Sequence, residues 1–110
     1  MTDEYEVGKG VGVKYDGDKP RMTLVPHDVL YEVAKVFTYG AAKYSDHNWS
    51  DGMRHTRMAD ALLRHLTAWL SGEDMDDESG LHHLDHLCCC ALMLRGMVLR
   101  RKGDDDRCLK

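Results

Sequence analysis

No stretch of this sequence approaches the ~18 consecutive apolar residues of a membrane-spanning helix. The opening Met1-Thr2-Asp3-Glu4 lacks the basic and apolar regions of a secretory leader. A cytoplasmic location with no membrane contact is therefore expected. Positive charge is also in short supply. Lys and Arg total 15 against 19 Asp and Glu, for a formal net charge of −4. Nucleic-acid binders carry a basic face, so generic nucleic-acid binding is excluded. A free nucleotide is not, because a divalent cation can offset the charge of site and substrate together. Internal repeats are absent, and no strand-like run exceeds a few residues. Cysteine is present, but its placement forbids a scaffold. Cys88, Cys89 and Cys90 are consecutive in an apolar helical run, where neighbouring side chains point about 100° apart. Cys108 lies in a polar tail. These thiols read as small hydrophobes in a reducing compartment.

What remains is a chain of 110 residues, one small domain, with apolar residues at helical spacing. Residues 1–22 form an irregular N-terminal segment, in which Val13 to Arg21 reads as a loop or short hairpin turning at Asp16-Gly17. Pro26 suits the first turn of a helix. Val29, Leu30, Val33, Val36 and Phe37 continue that helix to about residue 44, with Gly40 as a C-cap or break. A second helix is expected over 53–71, carrying Leu62, Leu63, Leu66, Trp69 and Leu70 and ended by Gly72. A third starts at Ser79 as N-cap and covers about 80–101. Its stretch Leu87 to Leu94 is apolar on every side. Three helices in one small subunit cannot bury such a stretch all round, so a homodimer or homotetramer built on it is expected. Residues 103–110 read as a solvated polar tail. The fold class is all-α, a three-to-four-helix oligomeric bundle.

The most informative segment is Ser71 to Gly80, where Glu73, Asp74, Asp76, Asp77 and Glu78 lie between two apolar helices. It fails the EF-hand pattern, which needs a glycine at the bend and a distal glutamate. Glu73 follows Gly72 and Glu78 lies two residues before Gly80, glycines that let the loop turn inward, which makes them the favoured ligands. The next helix opens with His82, His83 and His86. On a helical wheel His82 and His86 lie about 40° apart and His83 within about 60° of His86. They share one side of the first two turns, at the mouth of a seam that continues into Cys90, Met93 and Met97. His65 lies at the flank of the second helix, placed to face them. Glu32 sits on the polar edge of the first helix. Such a set can hold a cation or grip a phosphate; a solvated histidine patch is the bland alternative. Lys19, Arg21, Lys43 and Arg64 supply positive charge for phosphate, although Asp60 and Arg64 also have the spacing of a surface ion pair. Trp49 beside Asn48 suits either a nucleobase stack or a hydrophobic plug.

Taken in order, several short pieces resemble the N-terminal domain of the phage dATP/dGTP diphosphohydrolases. They are Lys14-Tyr15-Asp16 with Lys19-Pro20-Arg21, Thr38-Tyr39-Gly40-Ala41 with Lys43-Tyr44, and Asn48-Trp49. Arg64-His65-Leu66, Gly72-Glu73-Asp74, Glu78-Ser79-Gly80-Leu81 and His83-Leu84 with His86 complete the series. The resemblance spans about residues 13 to 95. It is similar in turn to the all-α pyrophosphohydrolases of the MazG type. It implies hydrolysis of dGTP or dATP to the monophosphate and diphosphate with Mg²⁺ or Mn²⁺, reshaping nucleotide pools during infection. The alternative is a non-catalytic nucleotide- or metal-binding oligomer. The site then comprises Glu73 and His65 at the reacting centre and Glu32, Glu73, Glu78, His83 and His86 toward metal. Lys19, Arg21, Lys43, Asn48, Trp49 and Arg64 fall toward the nucleotide. Two features depart from the MazG pattern. Its helix-borne E-x-x-E and E-x-x-D motifs are replaced here by Asp60 with Arg64 or His65, and by His83 with His86. The family's segment is also an N-terminal domain, so a shortened member is expected.

Overall fold

The computed structural model describes the backbone of residues 4–6 and the whole of 12–108. The chain is mostly helical. Two three-residue strands, β1 (Glu4–Glu6) and β2 (Val13–Tyr15), form an antiparallel ribbon with Tyr5 opposite Lys14. The Asp16-Gly17 turn exists, closed by Lys19 N–H to Asp16 O at 3.0 Å, but it leads out of the ribbon. The strand that pairs with β2 precedes it, so the expected hairpin about Asp16-Gly17 is corrected. The rest of the expected N-terminal segment, residues 1–3 and 7–11, lies outside the described residues.

Three helices follow: α1 (His27–Lys43), α2 (His55–Leu70) and α3 (His83–Leu99). Helix α1 runs through Gly40, which neither caps nor breaks it. Helix α3 is the shared element and packs on both others. On one flank Val33 and Val36 of α1 enclose Cys89 with Phe37, Leu81, Cys88 and Met93. On the other, Met58 of α2 meets Cys90 and Met97 with Met53, Ala61, Leu62 and Trp49. The 100° step between consecutive residues sends Cys89 and Cys90 into different seams. Burial pushes the Cys89 thiol up to about 12, as a thiol in an apolar seam requires.

In the expected solvated tail, Gly103, Asp104, Arg107 and Cys108 are exposed, but Asp105 and Asp106 are half-buried and the segment docks on α2; 109 and 110 lie outside the described residues. Asp106 Oδ1 accepts the Thr56 N–H at 2.9 Å and its Oδ2 accepts the Thr56 hydroxyl at 2.6 Å. The helix's own N-cap, Arg54, offers no side-chain bond. The tail therefore caps α2 from a distance, and these bonds hold the Asp106 carboxyl below its ordinary range. The approach requires Gly103, at φ +79°, where an added Cβ would lie 2.3 Å from Met53 O and clash with backbone. Just before it, α3 ends with Lys102 N–H on Met97 O at 2.8 Å and Arg101 N–H on Val98 O, with Arg101 left-handed at φ 55°. This is a Schellman closure with arginine where glycine is preferred. Arg101→Gly is expected to raise stability by about 0.5–1 kcal/mol, and Gly103→Ala to lower the thermal midpoint. Thermal melts of the two variants check both, and an unaltered midpoint in Gly103→Ala would contradict the docked tail.

Candidate functional site

The site begins where α2 ends. Gly72, at φ 98°, donates to Trp69 O at 2.9 Å, and Glu73 N–H donates to Ala68 O at 3.1 Å. This second Schellman closure turns the chain sharply and lifts Glu73 toward α3. The acidic segment then folds on itself. Asp76 N–H donates to Leu81 O, Gly80 N–H to Asp76 O and His83 N–H to Asp74 O, each at 2.8 Å. Asp76 Oδ2 accepts the Ser79 N–H three residues on, at 2.8 Å, the spacing of a capping bond. Helix α3 starts at His83 rather than at 80. His82, not Ser79, is its N-cap, its Nδ1 accepting the Leu84 N–H at 3.0 Å. Ser79 is engaged elsewhere: its Oγ accepts the Leu81 N–H and lies 2.6 Å from His86 Nε2.

His65 of α2 meets this loop and the first turn of α3. Its Nδ1 lies 2.8 Å from His83 Nδ1, and its ring stacks on His86 with centroids 4.4 Å apart. One donor atom each from His65, Asp76 and His83 fall within 4.8 Å of one another. His83 is 5% exposed, and its Nε2 has no hydrogen-bond partner. Glu73 Oε1 stands 3.4 Å from that nitrogen, outside hydrogen-bond geometry. Asp76 Oδ2 lies 3.8 Å from His86 Nε2. Burial lowers the His65 pKa, aided by the neighbouring His86 and His83 rings. Burial lowers that of His86 as well, against the pull of Asp76. Burial raises the Asp76 carboxyl, but the Ser79 N–H and hydroxyl outweigh it and leave the group below its usual range.

Helix α1 closes the rim. Lys43 Nζ donates to Glu78 Oε1, as does Tyr39 OH at 3.2 Å. The Glu78 hydrogen bond pushes the Lys43 pKa up to about 12 and holds Glu78 below the usual carboxylate range. Tyr39 also stands edge-on to His86, 6.4 Å between centroids.

The sequence model of the family described as "dATP/dGTP diphosphohydrolase, N-terminal" matches residues 9–107. The chain belongs to this family. It is also 34% identical, over 96 residues, to a dATP/dGTP diphosphohydrolase of Salmonella phage PMBT28. That match covers 87% of this chain and 33% of the relative, so the chain spans about a third of the curated protein it matches. No solved structure matches the chain.

Within this family member, the residues expected from sequence divide into two groups. His65, Glu73, His83 and His86 come together, with Lys43 and Glu78 at the rim. His86, however, is turned to Ser79, and Glu78 to Lys43 and Tyr39, so neither stands in the metal-compatible trio. Glu32 is half-exposed, paired with Lys35 at 2.6 Å on its own helix, and not part of the metal-compatible trio. Lys19 and Arg21 are exposed on the segment preceding α1. Arg64 lines a shallow depression on the outer face of α2 with Asp60, Leu63 and Ser71. Asn48 is exposed at the start of a 3-10 turn, Asn48–Asp51. Trp49 is the plug rather than the base stack. Its ring packs toward the core of Met58, Cys90 and Met97, lies under Arg100 at 5.2 Å, and fills the space a Cβ at Gly96 would need.

Two residues were missed. Glycines near Glu73 and Glu78 draw attention away from Asp76; its useful signal is a three-residue lead on Ser79, the spacing of a capping bond. Tyr39 is spaced i, i+4 from Lys43, which places both on one face of α1.

The lowered histidines give a signed expectation. The unfolded chain takes up protons on His65 and His86 near pH 6.5, before the folded chain does. Their stabilising contribution is complete above that pH and falls as pH drops from it toward the lowered folded values. Metal-free protein should therefore unfold at lower urea at pH 5.5 than at pH 7.5, and NMR should show both imidazoles titrating below the ordinary value. Equal urea midpoints would contradict the burial of these rings.

Proposed function

We propose that this chain hydrolyses a purine deoxynucleoside triphosphate, dGTP or dATP, to the monophosphate and diphosphate with the help of a divalent cation. The observation that carries this is that His65, Asp76 and His83 each bring a donor atom within 4.8 Å of the others, in a member of a family described by that activity. The donors suit a cation: a carboxylate already ionised and two imidazoles facing by the same nitrogen. Mg²⁺ and Mn²⁺ are the candidates, and such an ion supplies charge neutralisation at the phosphates and a more acidic bound water. The chain's residues do the rest. Asp76 and His83 hold the centre, His65 faces it from α2, and Glu73 stands behind His83 in a positioning role. Lys43 is the cation at the rim; a phosphate displacing Glu78 from it gains a point charge. The protein would act on the nucleotide pool of an infected cell's cytoplasm. Among the described residues no helix is long and apolar enough to cross a membrane.

Purified chain with Mn²⁺ and dGTP should yield dGMP and diphosphate. Asp76→Asn should cut the rate by ~10²-fold or more with helical circular dichroism intact. Binding of dGTP without turnover would favour a sensor and overturn the hydrolase reading. With Trp49 committed to the core, base choice should survive Trp49→Phe.

We also infer that the subunit assembles into a MazG-like bundle with copies of itself. Leu63 and Leu70 on α2, and Leu92 and Leu99 on α3, form outward i, i+7 stripes, each residue 48–69% exposed. Light scattering should give a dimer or tetramer, and Leu92→Glu with Leu99→Glu should reduce it to monomer. A stable monomer in the unsubstituted chain would sink this inference.

A further inference from the structure

We propose that the histidine cluster is a transition-metal site. His65 Nδ1, His83 Nδ1 and the Asp76 carboxylate bind one ion, Glu73 orients His83 from behind, and the set selects Mn²⁺, Fe²⁺, Co²⁺ or Zn²⁺ over Mg²⁺. This deepens the reading above and rests on its choice of site, though not on turnover.

Geometry is the first ground. The two Nδ1 atoms lie 2.8 Å apart. Neighbouring ligands of one ion, each at about 2.1 Å, stand ~3.0 Å apart at octahedral angles and ~3.4 Å apart at tetrahedral ones. Asp76 completes a three-donor face within 4.8 Å, and its carboxyl is held ionised by Ser79. A turn of the two rings swings their lone pairs from each other onto a shared ion, and the Asp76 carboxylate closes in from within 4.8 Å.

The proton inventory of His83 is the second. Two imidazoles facing by Nδ1 hold one proton between them as a hydrogen bond, whereas an ion takes both lone pairs. With the His83 Nδ1 lone pair on an ion, its proton resides on Nε2. That nitrogen is buried in a residue only 5% exposed and lacks a hydrogen-bond partner. The Glu73 carboxylate oxygen stands 3.4 Å away on a half-exposed side chain free to adjust by a few tenths of an ångström. A metal-bound imidazole donates its second N–H to a carboxylate in just this arrangement, which fixes the tautomer and raises ligand basicity. Glu73 is thereby a positioning residue, not a ligand.

The donor set decides the metal. Mg²⁺ takes oxygen ligands and keeps several waters, while imidazole nitrogen favours the first-row transition ions. Thiolate is no rival, since Cys89 lies in the α1 seam with its thiol pushed up to about 12. His86 forms the wall: it stacks on His65 while its Nε2 meets Ser79.

The test is metal binding to the metal-free full chain, with no nucleotide present. Co²⁺, Mn²⁺ and Mg²⁺ are titrated by calorimetry, and Co²⁺ also by its visible absorption. The expected result is one Co²⁺ per chain, with Mg²⁺ weaker by ~100-fold or more. Asp76→Asn and His83→Asn should abolish the Co²⁺ spectrum, and Ser at Cys88, Cys89 and Cys90 should leave it. Glu73→Gln should weaken Co²⁺ by about 10–100-fold while the metal-free melting temperature stays put. Because Glu73 is on the surface, that variant decides the matter even if His83→Asn fails to fold. Mg²⁺ binding as tightly as Co²⁺, Co²⁺ affinity unchanged in Asp76→Asn, or no loss in Glu73→Gln would each overturn the proposal. Metal binding as described, with no nucleotide hydrolysed under any ion, would sustain this site and overturn the proposed reaction.

Discussion

The return of the chain between α2 and α3 is the constraint on which the rest depends. Within residues 72–83 it must reverse direction, close on itself and deliver His83 opposite His65. Two Schellman bonds at Gly72 and Glu73 stop α2 sharply, and three backbone bonds among Asp74, Asp76, Gly80, Leu81 and His83 close the loop. A loop satisfied this fully by its own backbone leaves the side chains of Glu73, Asp76 and Ser79 available to face inward. Lengthening it by one residue would rotate α3 by about 100° and scatter the histidines.

The same register sets the core. Helix α3 serves two neighbours, so its apolar residues are divided between seams, with Cys89 given to α1 and Cys90 and Met97 to α2. Small thiols suit this position because neighbouring helices approach closely there, and methionines fill the irregular gaps. The seam leads directly into the site, so the histidines are buried by the packing that stabilises the bundle. Their lowered pKa values follow from that burial, and polar partners offset part of its cost: Asp76 for the loop, Ser79 for His86, and His65 and His83 for each other.

The distal end of the bundle is held differently. Gly103 lets the chain pass against Met53 and sets Asp106 on Thr56, which supplies the α2 N-terminus with the cap its own sequence lacks. Trp49 wedges against Gly96 beside it. Both ends of α2 are thus fixed by chain from outside the helix, and His65 sits between them on a rigid element.

Helical spacing of apolar residues settled the three helices to within a few residues, because burial of one face imposes a 3.6-residue period that local sequence displays. The density of acids and histidines between 71 and 86 likewise marked the segment whose Asp76 and His83 come together with His65. Spacing also placed His65 on the correct flank of α2. What sequence alone left open was which carboxylate would point inward. Glu73, Asp76 and Glu78 are chemically similar neighbours, and only the Asp76 bond to the Ser79 N–H, the length of the return and the reach of Lys43 separate them. The same holds for Glu32 and Trp49, whose partners Lys35 and Gly96 were visible as letters but not as contacts. The tail shows it most plainly: a run of aspartates reads as solvated until Gly103 bends one of them onto a helix end. Local pattern determines elements, because its physics is short-ranged. Which polar atom meets which is decided by the tertiary path, where shifts of a single residue or a few tenths of an ångström choose the partner.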